Sequence, residues 1–257
     1  MPAAPSPSLL TAWSAVVLLL TPLLWQLAGT NPMALLPLLP VIGWLLASAR
    51  WVQSRGVAWG IASGVALGLG LYTSPAAVVM MPAFLAVTLA VLIHGKVAPW
   101  RQLALCLAAF LVCASPMLVT WLRHPDQLRL AINSHHLYDA DRFSLLQGAR
   151  ELTSWVGLTA RSEIYWDYFN PAFLFLTGGV LLPPLIVLLP LGLFALLREP
   201  ATPLTRLWLA GLAVAPLAAS LTAETPIPAR ALYLTPFAAL IAAAGGQYLL
   251  TLTRRRS

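Results

Sequence analysis

The chain runs to 257 residues, 60% of them hydrophobic and only 9% charged, with a mean hydropathy of +0.82. That leaves too few polar residues to cover a soluble domain of this size, so the soluble globular classes are excluded. The net charge of +7 does not point to nucleic acid either, because the basic excess is dispersed over short connections between apolar runs, the pattern that orients membrane proteins.

In chain order, the opening MPAAPSPS carries no basic residue, and the apolar run from Leu9 to Ala28 is long enough to cross a bilayer. The start therefore reads as a span rather than a cleaved signal. Further candidate spans are centred in 32–48, 57–72, 76–93, 102–122, 179–197, 207–222 and 231–251. The expected fold class is all-α: one polytopic membrane helical bundle over residues 1–257, with about eight transmembrane helices. The connections GTN (29–31) and TSP (73–75) allow only tight helical hairpins, with Pro32 and Pro75 placed to start the next helix. Pro37, Pro40 and Pro190 lie inside candidate spans and predict kinks. Gly60, Gly64 and Gly68 repeat at small-xxx-small spacing, which marks close helix packing. Cys106 and Cys113 share one apolar segment; on a helix they would lie about 10 Å apart on one face, too far to bridge. They read as small packing residues.

Charge alternates along the chain. Connections after the second, fourth, sixth and eighth spans hold Arg50 and Arg55, Lys96 and Arg101, Arg198 and Arg206, and Arg254 to Arg256. These are nine of the 15 basic residues, against one acid, Glu199. Short inside loops are rich in Lys and Arg, so both termini are expected in the cytoplasm and the span count is expected to be even. The long connection 123–171, between the fifth and sixth spans, then falls outside. It carries six of the eight acids and three of the four histidines, so a polar site belongs there. The spans themselves carry essentially no charge, which argues against a transporter.

At the end of that connection stands SEIYWDYFNPAFLFLTGG (162–179), where aromatic rings, carboxylates and an Asn-Pro precede an apolar run. Its YWDYFNPAFLFLTGG resembles the junction between outer loop and helix in bacterial family-39-like glycosyltransferases. Three other stretches are similar to that family in the same order: GVALGLGLYTSPAAVVMMP (64–82), SPMLVTWLRHPDQLRLAINS (115–134) and PIPARALYLTPFAALIAAAG (226–245). The resemblance implies a GT-C fold in the bacterial inner membrane. It also implies transfer of a sugar from a polyprenyl-phosphate carrier to an acceptor on the outer face. The implied partners are that carrier and membrane lipid. Relatives begin with a further helix and an acidic outer loop that holds the presumed catalytic base. Nothing corresponding precedes the span at 9–28, so the chain resembles the C-terminal part of the fold, and a partner protein is one source of the missing helices. A non-catalytic relative that binds the carrier is the alternative reading.

The resemblance implies site residues. Arg230, in PIPARALY, and Arg129, in HPDQLRLAINS, would meet the donor phosphate, as guanidinium groups do. Tyr165, Tyr168, Asp167 and Asn170 would contact sugar or acceptor, and Gly178 and Gly179 would let the chain turn into the next helix. Asp139 and Asp141 are the candidate bases. Simpler roles fit several of these residues too: an aromatic belt for Tyr165, Trp166, Tyr168 and Phe169, interfacial snorkelling for Arg230, and an i, i+3 pair for Asp126 and Arg129. Glu224 reads as a partner of Arg230 or as a solvated acid. Two positions depart from the family pattern, Ser74 replacing an aromatic and Val78 an Arg, and the hairpin WQLAGTNPM (25–33) lacks the Arg that relatives often carry shortly before the Asn-Pro. No cofactor is expected. No metal is expected either, because the adjacent His135 and His136 beside Asp139 and Asp141 do not share a helix face.

Overall fold

The computed structural model describes residues 7–126, 130, 133, 144, 147, 148, 150, 154–198, 202–221 and 227–254, and among them every regular element is helical. The α-helices are α1 (Pro7–Leu19), α2 (Pro22–Thr30), α3 (Leu38–Ser54), α4 (Val57–Gly70), α5 (Ala77–His94) and α6 (Trp100–Arg123). They continue with α7 (Trp155–Asp167), α8 (Leu185–Arg198), α9 (Pro203–Val214), α10 (Leu217–Leu221) and α11 (Thr235–Arg254). Short 3-10 helices at Pro32–Leu35 and Pro228–Leu234 lead into α3 and α11, and a π-helical turn occupies Phe173–Thr177.

Five stretches are long and apolar enough to cross a membrane: Pro32–Ser54, Ala77–His94, Trp100–Arg123, Pro203–Leu221 and Pro228–Thr253. The chain is thus a helical membrane bundle. Val57–Gly70 and Leu185–Arg198 are apolar but shorter. The first candidate span is a correction to the sequence reading: it is two helices, Ala12–Leu19 and Pro22–Thr30, bent by 50°. Pro22 disfavours helical backbone in the residue before it, and Thr21 is extended at ψ 119°. The break is sealed locally. Thr21 Oγ1 donates to the Val17 carbonyl at 3.0 Å and Trp25 Nε1 to the Leu19 carbonyl at 2.6 Å.

Two more boundaries differ from expectation. Pro37 and Pro40 flank the start of α3, where a missing N–H costs nothing, so they begin the helix rather than kink it. The segment expected to span from residue 179 becomes α-helical only at Leu185. Before it lie the π-helical turn and Gly179 at φ +55°, a left-handed conformation that glycine adopts without strain.

Rings and small residues hold the bundle together. Trp44 of α3 stacks on Phe84 of α5 at 4.8 Å, and both meet Phe237 of α11, at 6.1 and 5.5 Å. The Trp44 indole N–H donates to Thr88 Oγ1 at 2.9 Å, so its polar edge is satisfied in the core. Elsewhere backbones meet directly. A methyl group at Gly64 would strike the Cys106 carbonyl and one at Gly68 would strike the Cys113 side chain, which explains why α4 and α6 pack so closely. Both cysteines are free, and they pack as small residues in that seam. Gly192 of α8 and Gly245 of α11 form a second such contact.

Candidate functional site at the α7 junction

Helix α7 starts where Ser154 accepts the Gly157 N–H at 3.1 Å, an N-cap that the Ser-Trp-Val-Gly sequence supplies locally. It ends at Tyr168. Two residues later Asn170 Oδ1 accepts the Ala172 N–H at 2.9 Å, with Pro171 between them. The Asn-Pro pair thus opens the next helical turn: asparagine caps it, and proline occupies the first position, where no N–H is needed.

One face of α7 docks on α10 and the adjoining end of α9. Arg161 donates from Nε to the Leu221 carbonyl at 3.4 Å and from Nη1 to the Gly157 carbonyl at 3.0 Å. The Tyr165 hydroxyl donates to the Ala213 carbonyl. Pro216 interrupts the hydrogen-bond ladder between α9 and α10. Tyr165 supplies a donor beside that interruption and Arg161 supplies one at the end of α10. Burial pushes the Tyr165 phenol pKa above its ordinary value, so it stays protonated and able to donate.

Tyr168 is fully buried. Its ring meets Phe173 edge-on at 5.4 Å, and its hydroxyl accepts the Ile227 N–H at 3.2 Å. Arg161 and Tyr168 therefore hold the two ends of the stretch from Leu221 to Ile227. Arg230 lies three residues further on, half-buried in the Pro228–Leu234 helix, where Ala231, Leu232, Tyr233 and Leu234 are all buried. The remaining rings cluster at the end of α7. Tyr165 lies 5.2 Å from Trp166 and 5.4 Å from Phe169, and Trp166 is largely exposed.

The structure thus brings Tyr168 to the segment of Arg230 and ties Tyr165 to α9. Asp167 is half-buried and Asn170 exposed. Tyr168, expected to contact sugar or acceptor, is wholly buried, with its ring against Phe173 and its hydroxyl on the Ile227 N–H. Arg129, Asp139, Asp141, His135, His136 and Glu224 lie outside the described residues. At the two positions that depart from the family pattern, Ser74 Oγ and the Tyr233 hydroxyl are hydrogen-bonded at 3.1 Å, and Val78 is half-buried.

Sequence reading missed Arg161. The signal was present, since Arg161, Tyr165 and Tyr168 recur at i, i+4 and i+7 and so share a helix face, but only if residues 155–167 are taken as a helix. No protein-family model matches the chain, and no curated protein or solved structure is similar enough to name as a relative.

Proposed function

We propose that this chain is a glycosyltransferase-like membrane protein of the GT-C type, serving transfer of a sugar from a polyprenyl-phosphate donor to an acceptor on the outer face of the bacterial inner membrane. In this reading all eight apolar segments cross the bilayer, both termini are cytoplasmic, and α7 lies at the outer end of the bundle. The reading rests on the four family-like stretches. The contact that best supports it is the Tyr168–Ile227 hydrogen bond, which ties the ring-rich end of α7 to the segment bearing Arg230. A guanidinium close to aromatic rings at the membrane boundary suits a phosphate joined to a sugar, with the lipid tail left in the bilayer. Arg230 is the first phosphate ligand and Arg129 the second. Tyr165, Tyr168, Asp167 and Asn170 are the candidate contacts for sugar or acceptor. In the transfer itself a carboxylate takes the proton of the acceptor hydroxyl, its oxygen bonds to the anomeric carbon, and polyprenyl phosphate leaves. Asp139 and Asp141 are this chain's own candidates for that base.

The test is to incubate the purified chain with a radiolabelled polyprenyl-phosphate sugar. Transfer of label to an acceptor is the expected result, and absence of both transfer and carrier binding refutes the reading. Arg230→Ala is expected to weaken carrier binding about ten- to 150-fold, the loss of one charge-assisted contact of about 1.5–3 kcal/mol. Unchanged affinity removes Arg230 from the phosphate site. A second reading, a carrier-binding unit without transferase activity, is favoured by Val78 at the position of the family Arg and by Ser74 being engaged with Tyr233. Binding without transfer, restored to transfer by a partner protein that supplies further helices and a catalytic loop, distinguishes it.

A further inference from the structure

Helix α7 has two unlike faces. Gly157, Arg161, Ile164 and Tyr168 form the inner one, and all are half-buried or buried. Opposite them, at i, i+4, i+7 and i+11, stand Trp155, Thr159, Ser162 and Trp166. Trp155 is 83% exposed and Trp166 66%, and the neighbouring Val156 is 77% exposed. The two tryptophans are separated by about 16 Å along the helix axis.

The hydroxyls between them are turned inward on their own helix. Thr159 Oγ1 donates to the Trp155 carbonyl at 2.7 Å and Ser162 Oγ to the Thr159 carbonyl at 2.8 Å. Neither hydroxyl proton is left to seek water, the usual state of Ser and Thr on helices in lipid. Nor does α7 stand off from the bundle. Two of its polar anchors, Tyr165 to Ala213 and Arg161 to Leu221, end on carbonyls of Pro203–Leu221, a stretch long and apolar enough to cross a membrane. Helix α7 is thereby held against that stretch by its inner face, with the tryptophan face turned away from the bundle.

We propose that α7 is an interfacial helix, with its Trp155–Thr159–Ser162–Trp166 face seated in the lipid headgroup layer at the Leu221 end of the bundle. Indole rings suit that layer, because they bury an apolar body while the N–H meets headgroups or water. The assignment is independent of the transfer chemistry and requires no donor sugar.

The test uses the full chain reconstituted in phosphatidylcholine vesicles whose acyl chains are brominated near the headgroup. Bromolipid quenches fluorescence from rings in the bilayer, and iodide quenches those in water. Comparison with a Trp155→Phe/Trp166→Phe double variant isolates the two indoles. Two of the chain's ten tryptophans are removed, so total tryptophan emission is expected to fall by roughly a fifth, the loss coming from the bromolipid-quenchable part, with iodide-quenchable emission unchanged. Loss of the iodide-quenchable part instead would place the face in water and overturn the proposal. If the missing emission was quenched by neither reagent, another protein segment covers the face, and the proposal is equally overturned. A second measurement does not depend on fluorescence. A nitroxide at Ser162→Cys, with Cys106 and Cys113 replaced by Ala, is expected to collide more with oxygen than with a water-soluble nickel chelate. The reverse ratio refutes the interfacial position.

Discussion

Tyr168→Phe isolates the contact that ties α7 to the segment of Arg230. The native ring is fully buried against Phe173, and its hydroxyl accepts the Ile227 N–H at 3.2 Å. Phenylalanine keeps the ring and its packing and removes the hydroxyl, and with it the acceptor of the Ile227 N–H. A neutral hydrogen bond contributes about 1 kcal/mol net, and a donor left unpaired away from water costs up to about 3 kcal/mol. Ile227 is 39% exposed. Where water reaches it, the lower figure applies; where lipid covers it, the upper. The local opening equilibrium of the segment from Ile227 to Leu234 should therefore rise roughly five- to 150-fold. Hydrogen–deuterium exchange of the reconstituted protein reads this directly. Peptides spanning 227–234 should exchange faster in the variant, while peptides from α3 (Leu38–Ser54) hold their wild-type rate. Unchanged exchange over 227–234 would show that the phenol does not hold the segment. Equal acceleration in α3 would show that Tyr168 supports the bundle as a whole, and either result refutes the reasoning.

Two further predictions concern packing and protonation. Gly192→Ala drives a methyl group into the Ile241 carbonyl and the Gly245 N–H, both backbone, whereas Gly246→Ala meets nothing within 4 Å. The first should cost at least the 1–3 kcal/mol typical of overpacking and lower the thermal midpoint in detergent, while the second leaves it unchanged; equal midpoints would contradict the close contact. The folded state raises the Tyr165 pKa through burial, so its contribution to stability is intact below the unfolded value of about 10 and is lost as pH rises through the folded value. Stability measured in that alkaline range should fall less steeply in Tyr165→Phe, and parallel curves would refute the effect.

Much of the architecture was legible because lipid imposes one strong rule: apolar runs become helices. Each of the eight apolar segments contains helix, and the Gly60-Gly64-Gly68 spacing does place Gly64 and Gly68 against α6. Local backbone chemistry was less legible. Hydropathy runs straight through Leu20, Thr21 and Pro22, so the 50° bend between α1 and α2 is invisible to it. The proline alone signals it, and several other prolines sit in helices without ending them, Pro82 and Pro116 among them. The junction was legible in composition but not in geometry. Asn170-Pro171 drew notice as polar chemistry, yet its observed bond is a helix cap. Tyr168 and Trp166 were both readable as rings of an aromatic belt, but one is wholly buried and the other largely exposed. Which ring goes inside depends on the register of α7 against α9 and α10, and that is fixed by Arg161 and Tyr165 reaching carbonyls about 50 to 60 residues away in sequence.

The glycine pair between α8 and α11 constrains length as well as shape. Phe237 fits among the rings of the core, and Gly245 meets Gly192 two turns further along the same helix. One residue inserted between those positions would swing one of them about 100° around the axis. Either the aromatic would lose its slot or a side chain would replace hydrogen where two backbones touch. Along Phe237–Gly245 the number of residues is therefore more tightly fixed than their identity.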